Sequence, residues 1–126
     1  MAITGYAKPY IQYNEDVKGC YRDIIHLKIK ESEKKIQELK VSQKDNLAIL
    51  HLENYIDFFQ LFITENKAEY NARISHKDER LRILEDIKLA DAQLDFIKAE
   101  ILLQWALIQI KFDEKIAAGQ DVYSAY

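Results

Sequence analysis

Residues 46–64, NLAILHLENYIDFFQLFIT, carry apolar side chains on more than one side of a helix. Ala48, Leu52, Tyr55, Phe59 and Phe62 form one row, Ile49, Ile56 and Ile63 lie beside it, and Phe58 and Leu61 widen the surface. A helix apolar over so wide an arc needs neighbours on at least two sides, which a single amphipathic partner cannot provide. Residues 91–111 make a second such segment. Here Phe96, Ala99, Leu103, Ala106 and Ile110 form a row predicted to be core, with Leu102, Trp105 and Ile108 around it. At roughly 25 cal/mol per Å² of apolar surface removed from water, these two segments supply most of the drive to fold. The rest of the chain must cover them.

That covering is helical. With three glycines and one proline in 126 residues, the chain has too few breakers for a many-turned β protein. Residues 16–40 repeat Val17, Tyr21, Ile25, Ile29, Ser32, Ile36 and Leu39 at steps of three and four, which predicts one amphipathic helix with a solvated face through Lys34, Lys35 and Glu38. Residues 41–45 read as a connection in which Asp45 caps the next helix. A short helix is expected around 68–74, broken at Ser75-His76-Lys77-Asp78. Another runs to Ile87 with Leu81, Leu84 and Ile87 inward. After a turn at Phe112-Asp113-Glu114, residues 115–126 read as a last helix, packed on the 91–111 helix with Ala106, Ala118 and Ala125 at the contact. The expected fold is all-α, with antiparallel helical hairpins stacked as a tetratricopeptide-like repeat or an irregular bundle. Residues 1–14 form an irregular arm, and 15–126 form one helical domain that is truncated or continues in a longer protein.

Composition removes several function classes. The chain is 48% hydrophobic and 31% charged, as a globular domain is, and its net charge of −3 offers no basic field for nucleic acid. No basic recognition helix is evident either. The longest uncharged apolar run, 101–110, is about half of what spans a bilayer. The first 14 residues lack the apolar core of a secretory signal, but no compartment follows from that.

Two stretches, LENYIDFFQLFITENKAEYNARISHKDERL (52–81) and KAEILLQWALIQIKF (98–112), resemble the N-terminal helical region of an uncharacterised family of tetratricopeptide-like proteins from Bacteroidetes. The resemblance implies a helical-repeat fold and no assigned activity. Against the 34-residue repeat pattern with Ala99 first, Leu102, Trp105 and Ala106 fall at the fourth, seventh and eighth positions. Ala118, Val122 and Ala125 fall at the twentieth, twenty-fourth and twenty-seventh, while Gln109 stands where an aromatic is usual.

Candidate chemistry is sparse. His26, His51 and His76 are in neither a zincin nor a di-iron pattern, and His51 with Glu53 would diverge on a helix, so no metal or cofactor is expected. Cys20 has no C-x-x-C partner, and Gly5, Gly19 and Gly119 are too isolated to cradle phosphate. No residue is singled out as catalytic. Tyrosine favours interfaces, so Tyr6, Tyr10, Tyr13, Tyr70, Tyr123 and Tyr126 are the candidate surface for a protein or peptide partner. The function expected is a non-enzymatic interaction or scaffold module of helical-repeat type. The alternatives are a metal-binding or enzymatic bundle using histidines and carboxylates, and a structural domain that oligomerises through its C-terminal helix.

Overall fold

A computed structural model describes residues 6–112 and 115–125. The helices are α1 (Glu15–Ile25), α2 (Ile29–Ser42), α3 (Ala48–Thr64), α4 (Lys67–Arg73), α5 (Ser75–Asp86), α6 (Ala92–Lys111) and α7 (Lys115–Ala125). Among the described residues no helix is long and apolar enough to cross a membrane. The expected turn at Asp113-Glu114, and the side chains of Ile116 and Tyr126, lie outside the described residues.

Side-chain caps start three of these helices. Asn14 caps α1 by accepting from Val17 N at 3.1 Å, and Glu15 and Asp16 then sit favourably on its first turn. Asn66 caps α4 and Asp91 caps α6 in the same way. The single helix predicted over 16–40 is instead two. Leu27 takes a left-handed conformation (φ 63°), Leu27 N donates to Ile24 O at 2.9 Å, and Lys28 N donates to Asp23 O at 2.8 Å. This pair of bonds is a Schellman stop built without glycine, which is why the apolar periodicity runs through it unmarked. The predicted break at 75–78 is also shifted, because only Ile74 separates α4 from α5.

Asp45 does not cap α3. Its carboxylate accepts from Ala7 N (3.1 Å) and Lys8 N (3.2 Å), so it holds the N-terminal arm. Asn46, fully buried beside it, accepts from Gln12 N and Ala48 N and donates to Gln12 O at 2.8 Å. Tyr10 pairs with Asn46 as an isolated parallel bridge, donating to Asp45 O and accepting from Leu47 N. The arm is therefore stitched to the start of α3 by its own backbone.

The helices form three hairpins in chain order: α1 with α2, α3 with α4–α5, and α6 with α7. Their first helices run parallel. Tyr13 meets His51 and Tyr21 meets Tyr55, while His51 meets Glu100, Asn54 meets Gln104 and Phe62 meets Lys111. The two most apolar helices, α3 and α6, are thus side by side and codirectional, while chain-adjacent helices such as α2 and α3 pack antiparallel, with Lys40 on Glu53. α3 is shared by two cores. Val17, Cys20, Ile24, Ile36 and Leu39 pack on its Ala48, Ile49, Leu52 and Ile56. Leu84, Ile97, Ile101, Trp105 and Ile108 pack with its Leu47, Leu50 and Leu61. Ala106 and Ala118 are buried where α6 meets α7.

The row predicted to be core on α6 is misplaced. Ala106 is inside, but Phe96 is 54% exposed, Leu103 41% and Ile110 50%. The covered row is Leu94, Ile97, Ile101, Trp105 and Ile108. α6 is apolar on both sides, so periodicity alone cannot choose which side the neighbours take.

Candidate aromatic groove

The parallel first helices α1, α3 and α6 set a cavity of about 290 Å³ between them. Its walls are mainly aromatic: Tyr13 from the arm, Tyr21 from α1, Tyr55 and His51 from α3, and Phe96 from α6, with Val17 and Leu52 as floor and Lys18 at the side. The rings are ordered against one another. Tyr21 and Tyr55 meet edge-on at 5.2 Å, His51 and Phe96 edge-on at 5.9 Å, and Tyr55 stacks on Phe59 at 6.3 Å. Edge-to-face packing of this kind holds ring orientation without filling the space between the helices.

A polar chain runs behind these rings. The Glu100 carboxylate takes His51 Nε2 at 2.7 Å and the Tyr55 hydroxyl at 2.5 Å, both on Oε1. A carboxylate only accepts, so Nε2 carries a proton and, in neutral His51, Nδ1 accepts from the Tyr13 hydroxyl at 2.9 Å. Gln104 connects Glu100 onward to Asn54, whose Oδ1 accepts from Trp105 Nε1 (2.8 Å) and Arg80 Nη1 (3.0 Å). Arg80 then reaches Asp57, which also takes Arg73 at 2.7 Å and His76 at 2.9 Å. One continuous network thus ties the arm, α3, α6, α4 and α5.

Hydroxyl, imidazole and carboxylate stand here in the order of a nucleophile triad, but the electrostatics run against activation. Burial foremost, with Glu100 adding, pushes the Tyr13 hydroxyl up to about 12. Burial and the Glu100 hydrogen bond raise Tyr55 further. Glu100 itself is held below the usual carboxylate range, chiefly by His51, with Tyr55 assisting against the opposing effect of burial. The arrangement keeps Glu100 charged and the tyrosines neutral, which suits fixing helices and leaves a poor nucleophile.

The sequence-selected tyrosines scatter. Tyr13 lines the groove, Tyr6 is half-buried near Leu50 and Glu53, and Tyr10 is exposed at the α3 bridge. Tyr70 is 4% exposed, stacked on Phe112 at 4.6 Å, and so belongs to the core rather than to a surface. Tyr123 is 84% exposed on α7, away from the groove residues. Tyr126 lies outside the described residues. Sequence reasoning missed Tyr21, Tyr55 and Phe96 as a set, since their proximity exists only once three hairpins stack.

The other flagged residues have structural partners. His26 bonds to Arg22 O at 2.7 Å at the end of α1, and His76 belongs to the Asp57 cluster. Cys20 is fully buried, donates to Ser32 O, and burial pushes its thiol up to about 11. Among the described residues, no group of three His, Cys, Asp or Glu is placed to hold a metal ion. No family model, curated protein or solved structure matches this chain.

Proposed function

We propose that this chain is a non-enzymatic protein-interaction module of tetratricopeptide-like type, whose parallel helices α1, α3 and α6 receive a peptide segment of a partner protein. The observation that carries this reading is the aromatic cavity of about 290 Å³ between those helices. It lies at the small end of ligand sites, suited to one large apolar side chain presented by a peptide. Its rings are held by packing and by the Glu100 network, so little ordering entropy is lost on binding. The raised Tyr13 and Tyr55 hydroxyls argue against the enzymatic alternative, because neither is poised to attack.

Selection of random peptides on the immobilised protein is the test. Enriched sequences should share an aromatic or large aliphatic residue, and Tyr21→Ala, which removes one wall of the cavity, should weaken them at least tenfold. Tyr123→Ala should not. Peptides that bind Tyr21→Ala as tightly as the parent would place recognition elsewhere.

A further inference from the structure

The rings of the groove make a box rather than a slot. His51 and Tyr55, one turn apart on α3, lie 4.7 Å from each other with a tilt of 37° and form its base. Tyr13 from the arm and Phe96 from α6 stand at 83° and 86° to His51, and Tyr21 from α1 stands at 72° to Tyr55. A flat side chain stacks well only where ring planes run parallel. Crossed rings suit a round group, which meets each of them alike.

The field inside the box is negative. Both base rings donate their own polar hydrogen to Glu100 Oε1, His51 at 2.7 Å and Tyr55 at 2.5 Å. A donor bonded to a carboxylate pushes electron density back into its ring, and the enriched face attracts a cation more strongly. Glu100 and Asp91 together raise the Tyr13 hydroxyl beyond the effect of burial. Lys18 at the side opposes them, but its side chain is 56% exposed and turned to Glu15 at 3.8 Å.

The polar atoms of these walls are already engaged, because the Tyr13 hydroxyl donates to His51 and the Tyr55 hydroxyl to Glu100. A primary ammonium has three donors and a tight hydration shell, which such walls replace poorly. A trimethylated ammonium has no N–H to satisfy, and its methyl groups pack directly on the rings. Building on the peptide-binding reading, we infer that the groove is an aromatic cage for a trimethylated lysine of the partner protein. The cavity of about 290 Å³ takes the methylene stem along with the head group. Tyr21 and Phe96, 38% and 54% exposed, leave its mouth open to a chain lying across it.

Calorimetric titration of the full chain tests the cage. A peptide recovered by selection is resynthesised with trimethyllysine at its anchor, with the neutral analogue carrying carbon in place of the charged nitrogen, and with plain lysine. Trimethyllysine should bind about tenfold more tightly than either, the worth of a desolvated cation on ring faces. Lys18→Ala should tighten trimethyllysine and leave the neutral analogue unchanged. Tyr55→Phe keeps the ring but cuts its bond to Glu100, and should weaken trimethyllysine alone. Choline, a free quaternary ammonium, should bind more weakly than the trimethyllysine peptide and more tightly than its own neutral carbon analogue.

Equal binding of the trimethyllysine and neutral peptides, both weakened by Tyr21→Ala, would overturn the cage and leave the peptide groove standing. Peptides indifferent to Tyr21→Ala would overturn both. Choline as tight as the trimethyllysine peptide would overturn the lysine as source. Where selection recovers no peptide, choline that binds no better than its neutral analogue overturns the cage by itself.

Discussion

The first helix of the first hairpin and the first helix of the last hairpin do the same job on their inner sides and opposite jobs on their outer sides. α1 buries Val17, Cys20 and Ile24, then turns Glu15, Lys18, Arg22 and His26 to water. α6 buries Leu94, Ile97, Ile101, Trp105 and Ile108, then turns Phe96, Leu103, Leu107 and Ile110 outward. A stack of hairpins exposes two edge faces, and helical-repeat arrays stay soluble by making such faces polar. On α1 the exposed Tyr21 and Ile25 are interspersed with charge, whereas on α6 the exposed apolar side chains form a row. An exposed apolar row on a folded domain marks a contact surface.

The difference can be broken on α6 itself. Trp105→Ala, on the covered side, should cost about 3–5 kcal/mol, because it opens a cavity and leaves Asn54 Oδ1 without its indole donor. Leu107→Ala, on the uncovered side, should cost under about 1 kcal/mol in dilute protein. Denaturant melts of the two variants decide it. Equal losses would mean that the outer row is covered even in the isolated chain.

Next in size is the network that joins the hairpins. Glu100→Gln should cost about 2 kcal/mol at neutral pH, since charge-assisted hydrogen bonds from His51 and Tyr55 are weakened together. The Glu100 carboxyl is lowered on folding, so its contribution is present above the unfolded value near 4.5 and is lost as pH falls through the lower folded one. The gap between parent and Glu100→Gln should therefore close below about pH 4.5. A gap that stays constant from pH 7 to pH 3 would show that Glu100 acts through packing alone.

The smallest effects belong to α1. Leu27 is half exposed and left-handed, a conformation that costs an L-residue about 1–2 kcal/mol. Leu27→Gly should stabilise the protein by about 1 kcal/mol, offset slightly by the unfolded-state freedom of glycine. Arg22→Ala on the outer face should change stability by less than about 0.5 kcal/mol. A destabilised Leu27→Gly would mean that the Leu27 side chain holds the α1–α2 hairpin.

What could be read in the sequence follows from where each signal resides. The extents of α3 and α6 were legible because apolar spacing is local, although the cap expected at Asp45 was not formed and the one at Asp91 was not read. The α1–α2 break was not, since Leu27 makes a turn usually marked by glycine. The groove and its network were hidden for a different reason. Asn54, Asp57, Glu100 and Gln104 are polar residues inside the apolar arcs of α3 and α6, and that intrusion is the one signal that could have found them. Their partners, Tyr13, Arg73 and Arg80, come from elements far away in the chain. The covered side of α6 was undecidable from spacing, because the helix is apolar on both sides.

The groove is tested most directly by side-chain resonances of the protein titrated with a selected peptide. Binding between α1, α3 and α6 should shift the rings of Tyr21, Tyr55 and Phe96, and should disturb the His51 imidazole through its contacts with them. Tyr123, exposed on α7, should stay in place through saturation. Shifts confined to Tyr123 and the Leu107 and Ile110 methyls, with the groove rings unmoved, would contradict the groove as the recognition site.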